Sequence, residues 1–227
     1  MTKEELRAAL FALRDEGYRA FTLPLLPGVA PERVIGVRTP ELRKLANRLS
    51  ADMQTAEFLE ELPHAYYEEN NLHGLLLCAR RDFEETVRGL DAFLPFVDNW
   101  ATCDLLRPVS FAKNKARLRT EIDRWMHASH VYTVRFGIEM LMTHFLDADF
   151  DPDDLVRVAA IRSEAYYLRM MQAWYFATAL AKQWDAALPL LQGEALEPWT
   201  RKKSIRKALE SYRISDEHKA VLREKER

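Results

Sequence analysis

The sequence predicts an all-α protein, an α-solenoid of helix pairs with a concave groove. Apolar residues recur at helical spacing along most of the chain, and runs of alternating Val, Ile and Thr are missing. Glycines (7) are fewer than prolines (10), which argues against a turn-rich β-sandwich. With 227 residues, 48% hydrophobic and 11% aromatic, the chain has the composition of a folded protein with a substantial core and not that of a disordered one.

The first 50 residues are expected to form helices joined by an irregular connector. Apolar stripes occupy residues 6–13 and 42–49. Thr39 can cap the second helix, and Pro40 suits its first helical position. Between the stripes, residues 21–31 contain three prolines and a glycine, which no long helix tolerates.

After residue 50 the pattern predicts helix pairs, each a short helix followed by a longer one. The longer helices are expected to begin at aromatic or capping residues spaced 32, 34, 34 and 33 positions apart: Tyr66, Asp98, Tyr132, Tyr166 and Trp199. A steady period in this range indicates an α-solenoid. We therefore expect a single domain over residues 1–227, with N-terminal helices in 1–50 and repeats in 51–227.

The formal net charge of −2 conceals three basic blocks, in residues 1–50, 113–135 and 201–227. These blocks could meet on one surface that binds an anionic partner, or they could be ordinary helix faces that alternate in charge. The chain begins with Met-Thr-Lys-Glu-Glu and has no apolar run of 18 residues, so we expect a cytoplasmic protein without a membrane span.

A series of cations follows the repeat. Arg135 and Arg169 are 34 residues apart, and Lys202 and Lys203 lie one repeat further along. Equivalent positions of successive repeats line one face of a solenoid, so these side chains are expected to line the concave surface. Such a surface suits the phosphate backbone of DNA, and it also suits an acidic protein partner.

Four residues carry a more specific signal. Trp100 and Asp104 are four apart and share a helix face, Arg135 opens the next second helix, and Trp174 lies on the one after. This set resembles the AlkD-type alkylpurine DNA glycosylases, which are HEAT-like repeat members of the DNA alkylation repair family, or a divergent branch of them. The resemblance extends to residues 36–45 and 199–209.

The resemblance implies a monofunctional glycosylase that hydrolyses the N-glycosidic bond of N3- or N7-alkylated purines in duplex DNA. Asp104 would stabilise the oxocarbenium-like sugar or orient the attacking water. An alkylated purine is already cationic and leaves readily, so a single carboxylate can suffice. The resemblance also implies that the damaged base need not be flipped into a pocket, and that no metal or other cofactor takes part.

The resemblance assigns DNA contacts to the remaining residues. Trp100 and Trp174 would pack against the deoxyribose and backbone at the lesion, and Arg135 would hold a phosphate. The phosphate-binding series continues with three more cations: Arg169, Lys202 and Lys203. We expect the protein to act as a monomer on alkylated duplex DNA.

Simpler interpretations of the same residues stay open. The tryptophans could be core residues, Asp104 a surface carboxylate, and Arg135 the partner of Glu139 one turn later. The function could accordingly be that of a non-catalytic scaffold that binds DNA or a protein partner through its concave surface. Protein interaction is the commonest use of solenoids.

A cysteine, two histidines and two segments of the chain are also notable. Cys103 is expected to be a buried filler, and His127 and His130 are not expected to bind metal. The polar segment 66–71 could line the groove or only cap it. The stretch from Tyr18 to Pro31 contains three prolines, so it is expected to leave the groove less enclosed than in the glycosylases.

Overall fold

The structure is a computed structural model that describes residues 2–50 and 55–226. Its regular secondary structure is entirely helical, with no β-strand among the described residues, and the predicted all-α class is confirmed. In chain order the α-helices are α1 (Lys3–Ala12), α2 (Glu16–Thr22), α3 (Thr39–Ser50), α4 (Ala56–Glu60), α5 (Tyr67–Ala79), α6 (Phe83–Phe93), α7 (Trp100–Asp104), α8 (Lys115–Met126), α9 (Val131–His144), α10 (Pro152–Ala160), α11 (Tyr166–Lys182), α12 (Trp184–Gln192), α13 (Pro198–Glu210) and α14 (Asp216–Glu226).

The chain folds into two compact units, residues 1–118 and 119–227, and the division falls inside α8. The expectation of a single domain over the whole chain remains a prediction. None of the helices in the described part of the chain combines the length and the apolar character that a membrane crossing requires.

In the first unit, α5 is the central helix. It packs against α3, α6 and α7, and nearly all of its residues are buried. The two N-terminal apolar stripes face this core as predicted, since Leu6, Leu10, Leu42 and Leu45 are each at most 3% exposed. The first unit is therefore a stack of helices around α5, held by burial of apolar area.

The connector between α2 and α3 is irregular, as expected, although it starts later than predicted. Phe21 and Thr22 still belong to α2, and 3₁₀ turns follow at Leu23–Leu25 and Pro31–Arg33. Gly36 then takes a φ of +99°, which favours glycine, and a Cβ there would lie 2.5 Å from the Cβ of Arg19. Only glycine lets this segment pass so close to α2.

In the second unit, α9, α11 and α13 lie side by side, with α10 and α12 packed against them. Each second helix in the chain begins within two residues of its predicted start, so the repeat is confirmed. The short-then-long order fails at one pair, because α7 has 5 residues and α6 has 11. Pro108 follows α7 closely, and a proline disfavours helix in the residue before it.

Candidate active-site cleft

Trp100 and Asp104 line the same cleft in the first unit, with a volume of about 270 Å³. We call it the α7 cleft. Its walls come from α2 and the following turn, from α3, from α5 and from α7. Four of the lining side chains are aromatic: Tyr18, Phe21, Tyr67 and Trp100. Asp104 is partly exposed and lines the cleft.

The short helix α7 presents its first and last residues to the cleft. Asn99 caps its N-terminus, where the side-chain oxygen accepts a hydrogen bond from the backbone N–H of Thr102 at 2.8 Å. Trp100 and Asp104 lie one turn apart on this helix, and both line the cleft. The four-residue spacing therefore places the two side chains together.

A chain of polar contacts fixes α7 to α5. The Thr102 hydroxyl donates to Oδ1 of Asn71 at 2.8 Å and accepts from Nδ2 of Asn99 at 3.0 Å. The same Asn99 amide also donates to Asp98, at 2.9 Å. All three of these hydrogen-bonded side chains around Thr102 are buried or partly buried, so α5 helps to set the position of α7.

The polar segment 66–71 divides between the two roles considered for it. Tyr67 and Asn71 line the α7 cleft and hydrogen-bond to each other through their side chains. Burial raises the pKa of Tyr67 to about 12, so its hydroxyl stays protonated at neutral pH. Glu68 and Glu69 instead accept hydrogen bonds from backbone N–H groups of the surrounding chain.

The two glutamates organise the surrounding chain. The Glu68 carboxylate accepts hydrogen bonds from three successive backbone N–H groups, those of residues 35, 36 and 37, at 2.9, 2.7 and 3.3 Å. The Glu69 carboxylate accepts from Nε of Arg7 at 2.8 Å and from the backbone N–H groups of Ala65 and Tyr66 at 3.0 Å each. These contacts explain the density of acidic groups on a buried helix.

The proline-containing segment forms one wall of the cleft. Five of its residues line the cavity: Tyr18, Phe21, Thr22, Leu25 and Leu26. Nε1 of Trp100 donates to the backbone carbonyl of Leu25 at 2.8 Å. Residues 18–26 thus pack against α7 and close one side of the cleft, and the expectation that the groove is less enclosed than in the glycosylases remains a prediction.

Sequence reasoning missed two cleft residues, Thr22 and Arg43. Thr22 ends α2 and is 6% exposed, and its hydroxyl has no hydrogen-bond partner among the described residues. Arg43 is exposed on α3 and, among the residues that the structure describes, is the only Lys or Arg that lines the cleft. The segment 36–45 could have pointed to Arg43, whereas no local pattern marks Thr22.

The remaining predicted site residues belong to the second unit. Arg135 lies on α9, is 4% exposed, and donates from Nη1 to the backbone carbonyl of Tyr167 on α11. Its guanidinium therefore links two neighbouring helices. Its predicted contact with phosphate remains a prediction.

Arg169 is also engaged within the protein. Its guanidinium forms ion pairs with Glu164 at 3.4 Å and Glu197 at 3.8 Å, and it lies 4.6 Å from the ring centroid of Trp199. A cation held by two carboxylates and an aromatic face is less available to a phosphate than a free side chain.

Trp174 and the α13 lysines form a separate feature of the second unit. Trp174 lines a smaller cleft of about 210 Å³ together with Lys207 and Arg213. Burial lowers the pKa of Lys207, and the positive charges of Lys203 and Arg135 lower it further. Lys202 is exposed and Lys203 partly exposed on the same helix. Lys207 is a cation that the repeat analysis missed.

The histidines and cysteine noted in the sequence have structural surroundings. Cys103 is fully buried in α7, as predicted for a filler. Nδ1 of His127 lies 2.8 Å from the Asp123 carbonyl, and Nδ1 of His130 lies 3.1 Å from the Thr133 hydroxyl. Both rings thus contact neighbours within their own part of the chain.

Comparison with known families adds one finding to this geometry. A family model described as DNA alkylation repair enzyme matches residues 2–164, which include the whole α7 cleft. Comparison with curated proteins and with solved structures gives no significant match.

Proposed function

Because the chain belongs to the DNA alkylation repair enzyme family, which supports a role in DNA repair with DNA as the substrate, we propose that it is a monofunctional DNA glycosylase. The reaction is hydrolysis of the N-glycosidic bond of N3- or N7-alkylated purines in duplex DNA. The observation that carries this proposal is the presence of the Asp104 carboxylate and the Trp100 ring in one cleft.

The chemistry follows from the substrate. When the bond between C1′ and the base breaks, its electron pair moves to the base and cancels the positive charge that alkylation created. The sugar becomes an oxocarbenium-like cation, which the Asp104 carboxylate stabilises. Water then adds at C1′ and passes its proton to Asp104 or to solvent. No general acid is needed for the leaving group, because the alkylated base leaves as a neutral molecule.

The DNA contacts are assigned to the second unit. In this proposal Lys202 and Lys203 contact the phosphate backbone, since both lie on α13 with exposed or partly exposed side chains. Trp174 and Arg169 would contact the sugar-phosphate chain nearby. Arg135 is buried, so in this proposal only the small exposed part of its guanidinium would contact a phosphate.

The decisive experiment is single-turnover release of base from duplexes that contain N7-methylguanine or N3-methyladenine, with enzyme in excess. Asp104→Asn is compared with Asp153→Asn, a matched control that removes a carboxylate elsewhere in the chain. Asp153 is exposed on α10 and does not line the cleft. We expect Asp104→Asn to slow release by about 100-fold or more, and Asp153→Asn to change it little.

Two outcomes would contradict the proposal. Equal rates for Asp104→Asn and the wild type would remove Asp104 from the chemistry. Absence of release by the wild type would favour a non-catalytic scaffold, for which the cationic face of α13 is the supporting feature. If the protein releases no base but binds undamaged duplex, and Lys202→Ala weakens that binding, it is a DNA-binding protein. If it binds no DNA even at low salt, a protein partner is favoured.

A further inference from the structure

We propose that the second unit contains a separate binding site for a small organic anion, a carboxylate attached to an apolar body. The site is a cavity of about 480 Å³ between the ends of α8 and α10 and the beginnings of α9 and α11. We call it the α10 cavity. Its lining residues all lie within residues 126–168, so it shares none with the α7 cleft. The inference goes beyond the proposed function and does not depend on it.

The inner part of the α10 cavity is apolar. Three of its lining side chains are buried: Met126, Val134 and Leu168. Val131 and Ile161 add partly exposed apolar side chains to the same lining. The cavity has the volume and the mostly apolar lining of a small-molecule pocket. An apolar ligand body placed there would leave water, which is favourable.

The charges that line the α10 cavity are positive. They come from Arg157 and Arg162, with His127 as the titratable neighbour, and among the described residues no carboxylate lines the cavity. Arg157 is neutralised within the protein, because it pairs with Asp123 and, at 3.2 Å, with Asp154. Nδ1 of His127 lies 2.8 Å from the Asp123 carbonyl. Arg162 is therefore the group that can receive an anion.

The Arg162 guanidinium is held in place without being neutralised. Its Nη1 donates to the backbone carbonyls of Ala159 and Ile161, and its Nη2 donates to the carbonyl of Ala195 at 3.3 Å. Its side chain is exposed, and it forms no ion pair with a described residue. Carbonyl oxygens carry only partial charge, so they orient the guanidinium and leave its positive charge for a carboxylate.

Two serines add hydroxyl groups beside these cations. Ser163 accepts a hydrogen bond from the backbone N–H of Ala165 at 3.1 Å, so its own hydroxyl proton can still be donated. Ser129 lines the cavity from the loop before α9 and is exposed. Glu164, the acidic residue of the other loop, pairs with Arg169 and does not line the cavity. The polar edge thus offers the donors that a carboxylate binds.

Only an amphiphilic anion matches both parts of the α10 cavity. A phosphate of the DNA backbone would match Arg162 but leave the apolar side chains without a partner. A neutral apolar molecule would cover those side chains but make no use of the guanidinium. A carboxylate with an apolar body uses both, and charge complementarity places its carboxylate at Arg162.

The test measures binding of small probes to the whole protein. Titration calorimetry at about pH 7.5, where a carboxylate is ionised, compares octanoate with 1-octanol and with butyrate. We expect octanoate to bind about ten-fold more tightly than the uncharged 1-octanol, because its carboxylate makes charge-assisted hydrogen bonds. It should bind at least ten-fold more tightly than butyrate, because it buries more methylene groups.

Two variants locate the ligand. Arg162→Gln should weaken octanoate binding by about ten-fold and leave 1-octanol binding unchanged, which also shows that the variant is folded. Arg223→Gln, at an exposed position of α14 outside the cavity, is its control. Ala160→Phe fills the cavity from an exposed position and should weaken both ligands by about ten-fold or more. Ala220→Phe, exposed on α14, is the control for added bulk.

Equal binding of octanoate and 1-octanol, or identical effects of Arg162→Gln and Arg223→Gln, would overturn the inference. Octanoate binding that survives Ala160→Phe would overturn it too, because the ligand would then lie elsewhere. A duplex oligonucleotide that displaces octanoate, and whose own binding weakens in Arg162→Gln, would assign Arg162 to a DNA-binding surface instead. None of these measurements uses base release, so failure of this inference is distinguishable from failure of the glycosylase proposal.

Discussion

Nε1 of Trp100 donates a hydrogen bond to the backbone carbonyl of Leu25 at 2.8 Å, across 75 positions of sequence. The contact joins the five-residue helix α7 to the turn that follows α2, and these two elements form adjoining walls of the cleft. Trp100 therefore has two roles in the structure, as a cleft surface and as the attachment point of the proline-containing segment.

Trp100→Phe separates these two roles, because phenylalanine keeps an aromatic ring and lacks the N–H donor. We expect it to lower the free energy of unfolding by about 1 kcal/mol and to reduce base release less than Asp104→Asn does. Urea denaturation measures the first effect. Trp184→Phe is the control, since the ring centroids of Trp184 and His218 lie 3.6 Å apart and a phenylalanine ring can also stack on His218. An equal loss of stability in both variants would contradict the role of the hydrogen bond.

Glu68→Gln tests how the segment 35–37 is held. The Glu68 carboxylate is fully buried and accepts from three backbone N–H groups, and the amide of glutamine would turn a donor toward one of them. We expect a loss of about 3 kcal/mol in the free energy of unfolding, measured by urea denaturation. Glu57→Gln, at an exposed position of α4, should change stability little. A Glu68→Gln protein as stable as the wild type would show that these hydrogen bonds contribute nothing net.

The sequence predicted the parts of the fold that depend on local pattern. The 3.6-residue periodicity and the repeat located every second helix to within two residues, and the four-residue spacing placed Trp100 and Asp104 on one side of α7. These features depend on neighbours in the chain, so a single sequence is enough to infer them.

Long-range contacts could not be predicted in this way. Thr22 and Arg43 reach the cleft because Gly36 lets the chain turn back onto α2 and because Glu68 holds that turn from α5. The place of Arg135 in the repeat predicted a position on the concave surface, whereas its 4% exposure depends on how α9 packs beside α11. Neither the position of a residue in the cleft nor the burial of Arg135 can be inferred from the neighbouring residues in the sequence.

The buried histidine pair predicts a pH dependence of stability. Nε2 of His64 lies 2.8 Å from Nδ1 of His73, and the pair is stacked between Phe58 and Phe93 with centroid distances of 4.4 and 4.3 Å. Burial lowers the pKa of His64 to about 4, and burial together with the neighbouring His64 lowers the pKa of His73 to about 3.

Both histidines are therefore neutral in the folded protein under conditions in which the unfolded chain begins to protonate them. Their contribution to stability is complete above about pH 6.5, the unfolded pKa, and is lost as the pH falls toward 4. We expect the free energy of unfolding to fall by up to about 1.4 kcal/mol per pH unit for each histidine in that range. Urea denaturation across this range is the measurement. His73→Leu should flatten the dependence and the exposed His127→Gln should not.

The cations of the second unit should separate into structural and DNA-binding groups. Lys202→Ala combined with Lys203→Ala removes two charges that are not buried. The negative slope of log K against log salt for duplex binding should therefore become shallower by about 1.8, and the free energy of unfolding should stay unchanged. Lys219→Ala on α14 is the control. Arg135→Gln should instead lower the free energy of unfolding by about 2 kcal/mol, because the buried guanidinium donates to Tyr167. A stable Arg135→Gln protein whose salt slope falls by about 0.9 would show that Arg135 binds phosphate and does not serve the fold.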